Sequence, residues 1–291
     1  MEVKEIHSEL EHKGFKVEED IKIPSLQVPK YNGVFSKEGK NYFVKAFSGF
    51  KRKYLRREKL VRERLENFRG KSIMPHDYIE RLQFDILILP FIYSKGNLDG
   101  REQNFSEQIF NIRGDLHSLS LSTLEGIKPY KPIQRMFDLK ENLPRSTNLL
   151  SQINKLDFVQ ELSLSLIPRL SSKKMVFSHN DFNGDNMLLS LEDQVLLTDY
   201  EGCTPNFSYE DTSALLFYNI LKTGQDLKSS PLYIEAQEPL SIEDRELLDF
   251  FILYRSFRTY DYFDESKQGL FKGIKKGDLE DITISLINKS K

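Results

Sequence analysis

The densest group of polar residues in the chain is Ser178-His179-Asn180-Asp181-Phe182-Asn183-Gly184-Asp185-Asn186, bracketed by the apolar runs Met175 to Phe177 and Met187 to Leu189. Polar side chains held between two buried strands read as a catalytic or binding loop on a rigid scaffold. Asn186 follows Asp181 by 5 residues, and Asp199 follows Asn186 by 13, within Thr198-Asp199-Tyr200-Glu201. A carboxylate in reach of a substrate hydroxyl can accept its proton, and hard oxygen ligands suit magnesium bound to phosphates. The residue types therefore offer a proton acceptor and ligands for a hard cation.

A second group involves a cation. In Asn41-Tyr42-Phe43-Val44-Lys45-Ala46-Phe47 one strand face carries Phe43, Lys45 and Phe47 and the other Tyr42, Val44 and Ala46. Both faces read as buried, and a buried ammonium costs several kcal/mol unless an anion accompanies it. The next helix offers that anion. Tyr54, Glu58, Val61, Leu65 and Phe68 step by four, three, four and three along its apolar stripe, which places Glu58 on the inward side. Glu63, five residues further, lies about 140° round the helix and faces solvent.

The spacing HxDxxxxN, followed after a short hairpin by Asp-x-Glu, resembles the aminoglycoside phosphotransferase and choline kinase family, and His179-Asn180-Asp181 is similar to the His-Asn-Asp of choline kinases. The resemblance implies an α+β, two-lobed protein-kinase-like fold: a small antiparallel-sheet N-lobe with one main helix, residues 1–92, and a larger, mostly helical C-lobe, residues 93–291. It implies Asp181 as the base, His179 as a residue that orients the loop, and Asn186 and Asp199 as magnesium ligands. Lys45 paired to Glu58 would grip the α- and β-phosphates of ATP or GTP. Leu116-His117-Ser118-Leu119 is similar to a family motif preceding the catalytic loop, and Asp211 resembles the aspartate that braces that loop.

The elements needed to position these groups are legible in outline. Strands are expected over Ile21 to Gln27, Gly33 to Ser36 and Asn41 to Phe47, the last two joined by the turn Lys37-Glu38-Gly39-Lys40, followed by a helix from Lys51 to Phe68. Phe84 to Ile92 reads as a buried strand running into a hinge, where Pro90 offers only a carbonyl and Phe91 or Ile92 supplies the N–H for a nucleotide base. Ser94-Lys95-Gly96-Asn97 breaks the pattern. Beyond it, Phe105, Ile109, Ile112, Leu116 and Leu119 mark a helix. A hairpin, Met187 to Leu189 and Val195 to Leu197, follows the polar loop, and the polar stretch Leu143 to Asn154 reads as a loop.

Two departures from the kinase pattern stand out. The phosphate-cradling segment, expected near Gln27-Val28-Pro29-Lys30-Tyr31-Asn32-Gly33, has no GxGxxG, and Pro29 lacks a backbone donor. Only 11 residues separate Asp199 from Asp211, too few for a peptide-presenting activation loop. Small hydroxyl-bearing acceptors, such as an amino alcohol, a sugar or an aminoglycoside, are expected over proteins. Glu201, Tyr254 and Asp261 are candidate acceptor contacts, the last two from the stripe Phe250, Tyr254, Phe257, Asp261. The competing readings are a nucleotide-binding pseudokinase or regulatory module, an atypical protein kinase, and a polyanion-binding helix built on Lys51, Arg52, Lys53, Arg56, Arg57, Lys59, Arg62 and Arg64.

Composition sets the remaining bounds. The 291 residues are 39% hydrophobic, enough for two buried cores. A net charge of −2 argues against wholesale polyanion binding, and the single cysteine, Cys203, excludes an intrachain disulfide. Met1 to Lys13 alternates acids and bases with no apolar leader segment, and Ile86 to Ile92 is too short to span a bilayer, so a cytoplasmic protein without membrane contact is expected.

Overall fold

Alternation along Tyr42 to Phe47 decides the architecture of the first part of the chain. In the computed structural model these residues form the centre of β3 (Lys40–Ser48), within a sheet ordered β1-β2-β3-β5-β4 with β1 Lys16–Ile21, β2 Lys30–Lys37, β4 Asp77–Glu80 and β5 Phe84–Pro90. All pairings in this sheet are antiparallel. The structure describes residues 3–21, 30–65, 75–121, 161–162, 165–166, 168–262 and 276–289.

Each sheet face is covered by one helix. Tyr42, Val44 and Ala46 join Ile86 and Ile88 in a cluster with Ile6 and Leu10 of α1 (Val3–His12). Phe47, Leu87 and Leu89 pack with Leu55 of α2 (Arg52–Arg64), with Phe43 against them. Both faces of β3 are thus covered, as its sequence requires, and Lys45 sits on the α2 side.

Chain contacts define two units, residues 1–97 with 187–203 and residues 98–186 with 204–291. This partition differs from the single cut expected after Ile92, because the hairpin of β8 (Met187–Ser190) and β9 (Val195–Leu197) groups with the first unit. β6 (Ser94–Asn97), expected only as a break, pairs with β8 in a three-stranded sheet ordered β6-β8-β9.

The second unit packs helices around α4 (Tyr209–Thr223) and α6 (Ile242–Tyr262), with α3 (Ser106–Ser118), α5 (Pro231–Gln237) and α7 (Lys276–Lys289). Its core includes Leu216, Phe217 and Ile220 of α4, Leu247, Phe251 and Leu253 of α6, and Leu279 and Ile287 of α7. One two-stranded ribbon, β7 (Met175–Ser178) with β10 (Thr204–Phe207), enters and leaves beside the polar loop. Among the described residues, no helix is long and apolar enough to cross a membrane.

The first strand departs from expectation. It covers Lys16–Ile21, ahead of the expected Ile21 to Gln27, whose residues after Ile21 lie outside the described residues; every residue of β1 is exposed, so no apolar alternation marks it. Residues 22–29, 66–68 and 143–154, on which other expectations fell, lie outside the described residues. Lys30 to Gly33, expected in the phosphate loop, belong to β2.

Gly33 has a packing reason to be glycine. Tyr31, Gly33 and Phe35 alternate onto the α1 face, and the Tyr31 hydroxyl donates to Asp20 Oδ1 at 2.5 Å with His7 Nε2 3.1 Å away. A Cβ on residue 33 would meet that hydroxyl at 2.3 Å and Phe35 Cε2 at 3.0 Å. Gly33→Ala is therefore expected to cost about 1–3 kcal/mol through overpacking, read as a lower urea midpoint, with most of the loss restored when Tyr31→Phe is added.

Candidate active site

The first unit brings Lys45, Glu58 and Asp199 together. Lys45 Nζ donates to Glu58 Oε2 at 2.8 Å and to Asp199 Oδ1 at 2.6 Å. The Lys45 side chain is 8% exposed and that of Glu58 is fully buried. Burial alone would depress the lysine pKa, but Asp199, Glu58 and Glu201 outweigh it and hold it above its ordinary value. Burial likewise pushes the Glu58 carboxyl up, and Lys45 and Arg62 reverse this and keep it low. Both groups are therefore ionised. Glu63 pairs with Lys59 at 3.0 Å and is 45% exposed, on the solvent side as its position in the helix implied.

Arg62 belongs to the candidate site through Glu58, a place the sequence reading did not give it. Counted there among the cations of a polyanion-binding helix, it is instead 1% exposed. Its Nη2 donates to Glu58 Oε1 at 2.6 Å, and its guanidinium lies 4.8 Å from the ring centroid of Tyr200. The signal was present, since Arg62 is four residues after Glu58 on the same stripe. The rest of the cationic run is largely engaged as well. Arg52 and Arg56 donate to the buried Asp85 at 2.9 and 2.8 Å, and Lys51 and Lys53 lie over the Tyr54 ring.

Asp199 has φ 60° and ψ 57°, the left-handed region in which Asp is among the few tolerated side chains. The short turn Tyr200–Gly202 follows, with Tyr200 fully buried. Glu201 accepts from Lys30 Nζ at 2.6 Å, and burial together with Asp199 pushes its carboxyl up.

The second unit holds the polar loop, and one buried carboxylate organises it. Asp211, in the first turn of α4, accepts from the backbone N–H groups of His179 at 3.0 Å and Asn180 at 2.8 Å and from Ser178 Oγ at 2.8 Å. His117 Nε2 of α3 lies 3.0 Å from its Oδ2. Burial would raise the Asp211 pKa, yet His117, His179 and Ser178 hold it below its ordinary value. The bracing role that the resemblance implied is thus visible as hydrogen bonds.

Asn180 explains the His-Asn-Asp spelling. Its φ is 65°, which asparagine tolerates, and its amide donates to Thr204 Oγ1 at 3.0 Å while accepting from Asn206 Nδ2 at 2.6 Å. Arg255 of α6, paired with Glu210 at 3.0 Å, approaches the Asn180 carbonyl at 3.4 Å. His179 itself is fully buried, with its ring edge-on to Phe182.

The result is an exposed Asp181 on a fixed loop. Asn183 Nδ2 donates to its Oδ1 and Asn186 Nδ2 to its Oδ2, each at 2.8 Å. Asn186 Nδ2 also donates to the Asp181 carbonyl at 2.8 Å, so its Oδ1, the atom a hard cation would take, is turned the other way. Gly184 is required between them, because a Cβ there would sit 1.9 Å from the buried Glu102 Oε1 and 2.8 Å from the Asp99 backbone nitrogen.

No protein-family profile and no curated protein sequence matches the chain. Solved structures do. Spectinomycin phosphotransferase in complex with ADP and spectinomycin matches with a TM-score of 0.65 at 13% identity, over 100% of this chain and 98% of that one. Choline kinase LicA from Streptococcus pneumoniae gives 0.62 at 16% identity, over 99% of this chain and 96% of that one. The fold is that of these small-molecule kinases. Ethanolamine kinase from Plasmodium vivax shares it at a TM-score of 0.60 and 14% identity, over 99% of this chain and 84% of that one. The α+β, protein-kinase-like class expected from the loop spacing therefore holds at the level of the fold.

Within this fold the remaining candidate residues fall as follows. Pro90 ends β5, and the Phe91 N–H donates to the Asn41 carbonyl at 3.1 Å, which leaves Ile92 as the candidate hinge donor. Tyr254 is 4% exposed and packs in the helical core with Phe250 and Phe257. The side chain of Asp261 lies outside the described residues. Residues 200–211 are consumed by the Tyr200–Gly202 turn, β10 and the start of α4.

Two variants test this arrangement. Arg62→Met, which leaves Glu58 to Lys45 alone in a buried site, is expected to destabilise the protein by about 2–4 kcal/mol in denaturant unfolding. Asp211→Asn is expected to lower stability at neutral pH and to expose the amides of His179 and Asn180 to hydrogen exchange. A depressed carboxyl stabilises the fold fully above its ordinary value of 3.8 and loses that contribution as pH falls through its folded value. The gap between wild type and Asp211→Asn is therefore expected to narrow below pH 3.8.

Proposed function

We propose that the chain is a small-molecule kinase that transfers the γ-phosphoryl of ATP or GTP to a hydroxyl of an amino alcohol, a sugar or an aminoglycoside. The observation that carries this reading is the exposed Asp181 carboxylate, each oxygen aimed by one asparagine amide, on a loop pinned by a buried aspartate. The fold of aminoglycoside, choline and ethanolamine kinases supports it.

In this reading Asp181 accepts the acceptor hydroxyl's proton as the oxygen–phosphorus bond forms and the bond to the β-phosphate oxygen breaks, releasing the nucleoside diphosphate. Lys45, kept charged by Glu58, Asp199 and Glu201, grips the α- and β-phosphates. His179 and Asp211 hold the loop still, so that Asp181 needs no reorganisation at the moment of reaction. Pro90 and Ile92 offer the hinge carbonyl and N–H to the base.

The residues present fit magnesium. Among the described residues no three His, Cys, Asp or Glu side chains cluster as a protein-only metal site. Nucleotide-bound magnesium asks for less, one or two protein oxygens beside phosphates and water. Asn186 through Oδ1 and Asp199 through its carboxylate, 31% exposed, would hold it. When bound, the ion neutralises charge building on the transferring phosphoryl group.

The short connection from Asp199 to α4 favours a small acceptor over a protein, since it leaves no segment to present a peptide. Asp181→Asn, which keeps shape and removes the base, is expected to lower turnover by at least about 10²-fold in a coupled ADP-release assay. Nucleotide affinity by calorimetry is expected to change less than about threefold. A fully active Asp181→Asn protein would refute the assignment. The acceptor would be identified by running the same assay over a panel of sugars, amino alcohols and aminoglycosides.

A further inference from the structure

Lys30 opens β2 on the same sheet face as Lys45. The register sets Lys30 opposite Phe47 and Asn32 opposite Lys45, and cross-strand partners share a face with their i+2 neighbours. Lys30 Nζ lies 4.9 Å from the Phe47 ring centroid and donates to Glu201 Oε1 at 2.6 Å. Its side chain is 23% exposed and that of Glu201 22%, whereas Lys45 is nearly closed off. Lys30 and Glu201 are thus partly open to solvent, which leaves the ammonium able to exchange one anion for another.

The residues leading into β2, Gln27-Val28-Pro29, contain no glycine, and Pro29 has no backbone N–H. Glycine-rich segments bind phosphate through backbone N–H groups that can approach closely. A chain without them needs another donor at the same edge of the sheet, and an ammonium group is the point-charge alternative.

We propose that Lys30 is a phosphate-binding residue: on nucleotide binding its ammonium leaves Glu201 for an oxygen of the β-phosphate, working beside Lys45 where the sequence lacks a glycine-rich loop. This deepens the kinase reading above and rests on it. Lys30 exchanges one anion for another, so its charge stays compensated, and its stem keeps the Phe47 ring throughout. In the ligand-free state Glu201 competes with the nucleotide for this cation.

The test is calorimetric titration of ADP and of adenosine, in EDTA, into wild type, Lys30→Met, Lys30→Arg and Glu201→Gln. Lys30→Met is expected to weaken ADP about 10-fold, the loss of one charge-assisted contact, and to leave adenosine unchanged. Lys30→Arg is expected to restore most of the ADP affinity. Glu201→Gln, which removes the competitor, is expected to tighten ADP. Equal ADP affinity in Lys30→Met and wild type would overturn the inference, as would a loss of the same size for adenosine and ADP. Wild type that binds neither ADP nor GDP, with or without magnesium, would instead overturn the kinase reading, and this inference with it.

Discussion

An ammonium group enclosed between a sheet and a helix is stable only where carboxylates surround it, and Lys45 is the point on which the first unit turns. Its strand must be covered on both faces, so the lysine cannot reach bulk water, and its partners must come from elsewhere in the chain. Glu58 comes from α2 and Asp199 from the segment after β9, 154 residues away in sequence. One buried charge thus ties the helix, the sheet and the β8–β9 hairpin into a single unit. Removing it would leave two acids facing each other in a low-dielectric site, which is why the group is structural and chemical together.

The polar loop of the second unit obeys the complementary rule. There the buried charge is an anion, Asp211, and what surrounds it are N–H and O–H donors of the loop itself, with His117 completing the set. Backbone N–H groups satisfied by a fixed carboxylate are held in place, so His179 and Asn180 are fixed just beyond β7 without belonging to a strand or helix. Asp181 inherits that rigidity while its own carboxylate stays exposed. Glycine at 184 lets the loop turn against Glu102, which is in turn held by Asn219 Nδ2 at 2.7 Å.

Much of this was legible in the sequence because it is local or periodic. The loop's spacing sits in one contiguous stretch, the two faces of β3 follow from alternation, and Glu58 over Glu63 follows from helix geometry. The rest lacked a local signal. β6 contains Gly96 and reads as a break, since its partner β8 lies some 90 residues on. β1 is exposed throughout, so no period marks it, and α1 carries only Ile6 and Leu10 as buried residues. Arg62, Arg255 and Asp85 are buried charges, which composition counts as surface, and only their partners reveal them. Tyr254 shows the converse, because an aromatic stripe on a helix reads the same whether it lines a pocket or fills a core.

The ion pairs of the first unit have a further property that no single contact shows. Lys30, Lys45 and Arg62 face Glu58, Asp199 and Glu201, three cations against three carboxylates within a few ångströms. The set is close to neutral when empty. On the kinase reading proposed above, a nucleotide polyphosphate would add several negative charges, so it could not simply join this network, and some carboxylate would have to give up its cation or take another. Glu58 cannot, because it is fully buried and held from both sides. Asp199 and Glu201 can, being 31% and 22% exposed on the short segment after β9. The division between a fixed acid in the helix and two adjustable acids in a turn thus follows from burial alone, and it places the adaptable part of the site in Asp199-Tyr200-Glu201.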